Sequence, residues 1–548
     1  METSLETRDD LNKNLSPDQS YAYDKFKEFL VDEESPAIVI SGIAGTGKTF
    51  LTSLIANYLA EKRYSVAAIA PTHKARRVIE HFLNTDRFIS IPTFTVASVL
   101  GKMREHTYIG SHKYSSGSTQ KMDSFGVFIV DEISMISDKD MDEIIEYICL
   151  HDKKLILIGD NCQLPSPSQP LVKTKDEDGS YICYKADSSA FDICNRCELM
   201  EIVRQRKDSP IIKIAAYIRD NIATDISLDD ILEATELKNE LCMSIQDAYR
   251  DFVKEWNSKK DVRLLSYTNA SVQSHNREIR KRLQFDNEIV LGELLTGYNN
   301  VGWPVPLIEN GTDYRVISIR KSIMHTIGGY GGLVGSFIDL EDVVSKNNTS
   351  KNLFFIDIRH PQNAKFMAEF VYRAEKVNTV NSLKDDYKKY CQLKNRAVFM
   401  DNVYKFGKNI MGEHDFKQLH PLLFSKVSEV IDTNNRVAYT SVLSQKLEEQ
   451  YGDIIQCRIV DNKPFADGEV FADHYMVVER DIYYGYALTV HKSQGSTYDI
   501  TYVDSQDLRK ISNKWNWKHK AMEYRFRERN QLTYVAYTRA SDKLRIIV

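Results

Sequence analysis

The chain has 548 residues, 42% hydrophobic and 27% charged, ordinary proportions for a globular protein with room for about three or four domains. A formal net charge of −5 excludes a globally basic nucleic-acid binder, so any phosphate-binding surface must be local or built from backbone N–H, Ser and Thr groups. There is no run of about 18 apolar residues to make a transmembrane helix, and the polar opening METSLETRDDLNKN holds no signal-peptide core; a cytoplasmic protein, nucleoid-associated or in a host-cell cytoplasm, with no membrane partner, is expected.

Residues 1–14 read as a flexible, solvated arm. Ser16 is then a natural N-cap, Pro17 suits a first helical position, and Gln19 falls where a capping box places Gln. Ala22, Phe26, Phe29 and Leu30 give that helix one apolar face. The run 37–40 (AIVI) predicts a buried strand, and Leu51, Leu54, Ile55, Tyr58 and Leu59 fall on one helical face. Between them lies SGIAGTGKT, residues 41–49. G-x-x-x-x-G-K-T between a strand and a helix is a phosphate-binding loop. Gly42, Gly45 and Gly47 let the backbone around Ala44 and Thr46 curl its N–H groups towards an anion. Lys48 would reach the β- and γ-phosphates of ATP, and Thr49 would sit on Mg²⁺.

The next strand, 65–70, runs into Pro71, Thr72, His73, Lys74 and Ala75, at the carboxyl end where open α/β sheets bind ligands. A helix over 75–83 follows, then the hydroxyl-rich 93–98, with Thr95 and Ser98. Residues 101–121 are polar and glycine-punctuated, and read as a projecting hairpin with Tyr108, Ile109 and Tyr114 at its tip or base. Strand 126–130 ends in Asp131 and Glu132. Asp131 would hold Mg²⁺, and Glu132 would take a proton from the attacking water. Strand 154–158 ends in GDNCQLP, where Gln163 would sense the γ-phosphate or its water. Four strands ending in polar chemistry predict a parallel sheet with one functional edge. Cys194 and Cys197 form a lone C-x-x-C with Cys183 upstream; no ligand set at zinc spacing completes them, and they read as structural thiols. Arg204 closes this block as an arginine-finger candidate, a role it shares on these residues alone with a plain surface arginine.

A second block begins near 206, with helices at 211–219 and 245–256, a strand at 263–267 ending in Thr268 and Asn269, and a basic helix at 271–283. Residues 316–479 read as an inserted β-rich unit with a charged helical excursion over 366–396. The segment 486–497 (YALTVHKSQGST) then gathers Thr489, His491, Lys492 and Gly495, groups suited to phosphate and sugar contacts. Between 505 and 530, Trp515 and Trp517 stand among eight Lys and Arg residues. That composition fits base stacking with phosphate contacts and fits a solvated amphipathic helix equally well. Arg539, ahead of a terminal strand over 543–548, is a second finger candidate.

In this order the motifs resemble those of superfamily 1 helicases, specifically the RecD-like, Dda-like branch. Residues 15–19 look like the Q motif, 41–49 like motif I, APTHKA (70–75) like Ia and TVASVL (95–100) like Ib. DEISM (131–135) resembles motif II, GDNCQLP (159–165) motif III, LMEIVRQ (199–205) the arginine-bearing motif after it, and YTN (267–269) motif IV. TVHKSQGST (489–497) looks like motif V and YVAYTRA (534–540) like VI. Motif III ends in Pro165-Ser166 where the family usually has two prolines.

The resemblance covers about 15–315 and 480–548. It implies an α/β fold with two RecA-like P-loop domains, 15–205 and 206–315 with 480–548. A pin-bearing hairpin at 101–121 and an SH3-like accessory domain at 316–479 would be inserted. ATP and Mg²⁺ would lie between the domains, with Gln19 on adenine and Arg204 and Arg539 on the γ-phosphate. Pro71, Thr72, His73, Thr95, Ser98, Asn269, Thr489, His491 and Lys492 would grip single-stranded DNA. The activity implied is an ATP-dependent DNA helicase moving 5′ to 3′ as a monomeric motor on single strands and duplex junctions, with 316–479 available to a protein partner. An RNA or RNA–DNA hybrid helicase, or a nucleic-acid-stimulated ATPase switch that recruits a partner without unwinding, stand as alternatives. Replication, repair and recombination are the settings such motors serve.

Overall fold

The computed structural model describes residues 15–84, 90–106, 112–116, 120–175, 179–203, 209–286, 288–298, 300–301, 307–324, 333–344, 349–356, 363, 475–477 and 481–548. The first lobe is built on six parallel strands in the order β10-β1-β7-β6-β2-β3. These are β1 (Ala37–Gly42), β2 (Val66–Ala70), β3 (Thr93–Thr95), β6 (Val127–Val130), β7 (Lys154–Gly159) and β10 (Arg196–Leu199). A parallel sheet covered on both faces needs apolar residues at consecutive positions. Ile38 and Ile40 pack with Phe26, Phe29 and Ile55 on one face. Ala37 and Val39 pack with Phe128, Val130 and Ile144 on the other. Helix α1 (Pro17–Val31) starts in the expected capping box between Ser16 and Gln19. Helix α2 (Lys48–Glu61) opens directly from the glycine loop, and α3 (His73–Asn84) follows β2.

Two hairpins leave this lobe. Strands β4 (Lys102–His106) and β5 (His112–Ser116) pair antiparallel, while Tyr108 and Ile109 lie outside the described residues. Strands β8 (Leu171–Lys175) and β9 (Tyr181–Lys185) form the second.

The second lobe has five parallel strands in the order β11-β23-β20-β12-β19: β11 (Cys242–Met243), β12 (Val262–Ser266), β19 (Ala487–Thr489), β20 (Tyr498–Asp504) and β23 (Ala540–Ile547). Two doubly covered parallel sheets are the expected architecture. Helices α4 (Asn269–Arg282), α5 (Val490–Ser493) and α6 (Phe526–Thr538) carry its motif residues.

Between β12 and β19 the chain builds a third, mostly antiparallel sheet ordered β17-β16-β15-β14-β13-β18. Its members are β13 (Leu294–Gly297), β14 (Asp313–Met324), β15 (Leu333–Asp342), β16 (Thr349–Ile356), β17 (Tyr475–Val477) and β18 (Ile482–Tyr484). It therefore starts earlier and ends later than the 316–479 read from sequence. Leu294, Leu295 and Thr296 pair antiparallel with Arg315, Tyr314 and Asp313 of β14, so the strand at 294 belongs with this sheet. The charged stretch 366–396 lies outside the described residues.

The basic 505–530 segment is not one amphipathic helix. After a short turn of helix it forms a hairpin, β21 (Lys514–Asn516) and β22 (Ala521–Glu523), before α6 begins. Strand β22 pairs parallel with β9 of the first lobe, so a four-stranded sheet β21-β22-β9-β8 spans both lobes.

Candidate functional site

The glycine loop lies between β1 and α2, as its sequence requires. Gly47 has φ +77°, and a Cβ there would stand 2.4 Å from the Gln19 amide nitrogen. A Cβ on Gly42 would come within 2.9 Å of the Leu199 side chain, so the loop needs glycine to pass β10. Lys48 Nζ donates to the carbonyls of Gly42 at 2.6 Å and Ile43 at 3.0 Å, which bends the side chain back over the loop. Gln19 serves two partners: its Oε1 accepts from Ser16 N–H at 3.1 Å and its Nε2 donates to the Thr46 carbonyl at 2.8 Å. The residue thus ties the start of α1 to the loop.

A cavity of about 500 Å³ opens between the lobes. From the first lobe Ala44, Gly45, Gly47, Lys48, Thr49, Glu132 and Gln163 line it; from the second, Gly495 and Arg539. Gln19, Gly42, Thr46 and Asp131 are not among its lining residues, and Arg204 lies outside the described residues. Arg539 is buried, donating from its guanidinium to the carbonyls of Val535 at 3.2 Å and Ser496 at 3.1 Å.

The acidic pair sits at the end of β6. Glu132 has φ +54°, a left-handed conformation that a residue with a Cβ rarely adopts and that marks stored strain beside the cavity. Asp131 accepts the Glu132 N–H at 2.9 Å. Burial, then the neighbouring Glu132 charge, pushes the Asp131 carboxyl up to about 7. Burial also raises Glu132, with Arg539 and Lys48 pulling back. Glu132 Oε2 and Gln163 Oε1 are buried without a protein hydrogen-bond partner. The Glu132 carboxyl and the Thr49 residue both line the cavity, and the buried Asp131 precedes Glu132, so the site holds hard oxygen donors for a cation. These residues fit Mg²⁺, which takes one or two carboxylates and completes its shell from water and substrate phosphates.

Two residues that sequence reading did not single out join the lobes here. Tyr534, on α6, is fully buried. Its hydroxyl accepts the Ala44 N–H at 2.9 Å and donates to Asp160 Oδ2 at 3.1 Å. Asp160 is itself fully buried, 3.9 Å from Lys48 Nζ. Cys162 and Leu164, flanking Gln163, sit in the hydrophobic core of the second lobe. Both signals were present, a polar residue after β7 and a tyrosine in YVAYTRA, but neither named its partner.

The residues expected to grip a strand cluster at one edge of each sheet. Strand β3 is an outer strand, with Thr95 beside Ala70, so Pro71, Thr72, His73 and Ser98 are its neighbours. Strand β19 is an outer strand of the second sheet, with Thr489 beside Ser266. Asn269 is exposed at the start of α4, and the rings of Tyr267 and His491 lie 6.2 Å apart. Thr72, Thr95 and Thr489 use their hydroxyl oxygens locally, accepting the N–H of Ala75, Ser98 and Lys492 at 3.1, 3.2 and 3.3 Å. Each hydroxyl is thereby fixed at the start of a helix, and each remains a donor. The Lys492 ammonium lies 3.3 Å from the Tyr298 ring centroid. Burial, then the charge of Lys74, pushes it down to about 8.

Helix α3 binds the accessory sheet through a buried ionic seam. Lys74 pairs with Asp313 at 3.2 Å, Arg263 of β12 reaches the same carboxylate at 3.5 Å, and Arg77 meets Glu309 at 2.6 Å as well as Asp342. Lys74, Arg77, Arg263 and Asp313 also line the interlobe cavity, so first lobe, second lobe and insert meet there.

Residues 14–181 match the family described as an AAA domain. Uncharacterized protein R530 of Acanthamoeba polyphaga mimivirus is 22% identical over 97% of this chain and 99% of its own length. The ATP-dependent DNA helicase dda of Enterobacteria phage T4 is 27% identical over 52% of this chain and 64% of its own. Among solved structures, the Pif1 helicase from Candida albicans is 15% identical with a TM-score of 0.43, covering 97% of this chain and 94% of that one. A Bacteroides Pif1 helicase in complex with ADP-AlF3 and single-stranded DNA is 13% identical with a TM-score of 0.42, covering 97% and 92%. By the family match, the phage relative and its motif order, the chain resembles the superfamily 1 helicases of the RecD-like branch.

Proposed function

We propose that the chain is an ATP-dependent DNA helicase that moves 5′ to 3′ along single-stranded DNA and unwinds duplex ahead of it. The observation that carries this reading is that one cavity is lined by the phosphate loop of one lobe and by Arg539 of the other. A nucleotide held there touches both lobes, so binding draws them together and hydrolysis releases them. DNA is chosen over RNA because the phage relative is a DNA helicase.

In this account Lys48 leaves the carbonyls of Gly42 and Ile43 for the β- and γ-phosphates, and the N–H groups of the loop from Ala44 onward cradle them. Gln19 positions the loop and contacts adenine from the start of α1. Mg²⁺, held by Thr49 and Asp131, would neutralise charge developing on the phosphates. Glu132 accepts the proton of the attacking water; its burial makes the carboxylate a stronger base, and its buried Oε2 has no protein hydrogen-bond partner to compete for that proton. Gln163 holds that water or the γ-phosphate, Arg539 stabilises the transferring phosphoryl group from the second lobe, and Arg204 does so from the first.

The strand crosses the β3 edge of one lobe and the β19 edge of the other. Pro71, Thr72, His73, Thr95 and Ser98 hold it on the first, and Asn269, Thr489, His491 and Lys492 on the second. Such backbone gripping needs few cations and is compatible with a net charge of −5. The hairpin of β4 and β5 is assigned to the duplex junction, and the accessory sheet to transmitting motion from α3. The test is ATP-dependent strand separation together with ATPase stimulation by single-stranded DNA and by RNA of the same sequence. Stronger stimulation by DNA with strand separation supports the reading. Stronger stimulation by RNA moves it to an RNA helicase, and stimulation without separation leaves only an ATPase switch.

A further inference from the structure

The hairpin of β21 and β22 stands outside the roles assigned so far. It exposes two tryptophans, Trp515 at 46% and Trp517 at 83%, with ring centroids 6.1 Å apart and planes at 79°. Large indoles left in water are unfavourable unless something covers them. Trp515 pairs across the hairpin with Met522, itself exposed, and Met522 pairs with Ile182 of β9, so the apolar face continues into the first lobe.

The hairpin is held firmly. Asn516 Oδ1 accepts the N–H groups of Lys518 and His519 at 3.1 and 3.2 Å, fixing the turn. Lys173 of the first lobe donates to the His519 carbonyl at 2.8 Å. Among the described residues of the hairpin, Lys514, Lys518 and Lys520 are exposed. Its one acid, Glu523, is taken up by Asn516 at 2.8 Å and by Lys514 and Arg525 at 3.6 and 3.8 Å. The acids Asp176, Glu177 and Asp178 follow β8 in sequence and lie outside the described residues. The root of the hairpin touches the strand-gripping edge. Arg525 donates to the Tyr267 hydroxyl at 3.3 Å, and Tyr267 neighbours His491.

We propose that Trp515 and Trp517, with Lys518 and Lys520, form a further contact for single-stranded nucleic acid, at which bases leaving the Tyr267–His491 edge stack on the indoles. The proposal rests on the helicase reading above. Paired aromatic faces ringed by lysines are the chemistry of sequence-tolerant strand binding, where stacking is sequence-blind and lysines meet phosphates. The contact lengthens the bound strand beyond the track between the sheets.

The experiment compares the full chain with its Trp515→Ala/Trp517→Ala form, and with Trp517→Ala alone, on oligothymidylates of about 8 and about 20 nucleotides at fixed salt. The expected result is a roughly 10-fold weaker affinity of the double variant for the long strand, with the short strand within about twofold. Wild-type tryptophan emission is quenched by the long strand, and ATPase at saturating oligonucleotide is unchanged. Equal long-strand affinity in wild type and variants overturns the proposal. A variant that keeps its oligonucleotide affinity but loses binding to polyglutamate overturns it in favour of an acidic protein partner. If single strands fail to stimulate the wild-type ATPase, the helicase reading falls and the hairpin proposal with it; stimulation with equal affinities removes the hairpin proposal alone.

Discussion

Replacing Tyr534 by Phe removes one oxygen and two hydrogen bonds from the joint between the lobes. The ring stays, so the core around Leu532, Val535 and Tyr537 keeps its packing. The lost bonds run from Ala44 N–H and to the buried Asp160 carboxylate. A neutral bond contributes about 1 kcal/mol and one to a carboxylate about 2, so about 3 kcal/mol of lobe-to-lobe contact disappears. In an equilibrium between engaged and separated lobes this is on the order of 10²-fold. Asp160 still accepts the Cys162 N–H at 3.0 Å and stays near Lys48, which limits damage to the loop itself. The assay is ATPase with and without saturating single-stranded DNA, beside binding of a fluorescent ADP. Nucleotide affinity is expected to stay within about threefold, because Ala44 N–H is released towards the phosphates, while stimulation by the strand falls at least about 10-fold. An unchanged stimulation ratio would refute the idea that this phenol couples the lobes.

Lys48→Ala removes the cation facing the phosphates and is expected to lower turnover by on the order of 10²-fold or more, read by steady-state ATPase. Glu132→Gln removes the base but keeps the shape; turnover falls about 10²–10⁴-fold while strand affinity, read by anisotropy, persists, and loss of strand binding would count against a purely catalytic Glu132. Asp313→Asn keeps the hydrogen bond from Thr296 but takes the ion-pair partner from the buried Lys74, while Arg263 keeps its pair with Asp261; the cost is about 3 kcal/mol, read as a lower melting transition. Burial tends to raise the Asp313 carboxyl, but Lys74 and Arg263 outweigh it and hold it below the ordinary range. Its contribution is therefore present above the unfolded aspartate value and disappears as pH falls through the lower folded value. Lys492 is charged below about 8 and neutral above, so strand affinity is expected to fall several-fold as pH rises through that value, and Lys492→Gln flattens the profile.

What sequence made legible is what local chemistry decides. The runs at 37–40, 65–70, 126–130 and 154–158 are uninterrupted because both faces of the sheet are covered, and all four are parallel strands. The glycine loop was readable for the same reason: its neighbours in sequence are its neighbours in space. Tyr534 was not, because its partner Ala44 lies 490 residues away and a buried tyrosine reads as core. The hairpin of β21 and β22 was missed for a related reason. Its strands are three residues long and take their place by pairing with β9, a partner that periodicity within 505–530 cannot reveal. Leu294 to Gly297 carries no strand signal of its own and is a strand only through β14 and β18.

One-directional movement along a strand, driven by nucleotide turnover between the two lobes, is the core of the proposed function. It is tested most directly by offering two otherwise identical duplexes, one with a 5′ and one with a 3′ single-stranded DNA tail, and following strand separation with ATP and Mg²⁺. Unwinding of the 5′-tailed duplex and none of the 3′-tailed one is expected. Separation of the 3′-tailed duplex alone, or of neither while ATP is consumed, would contradict it.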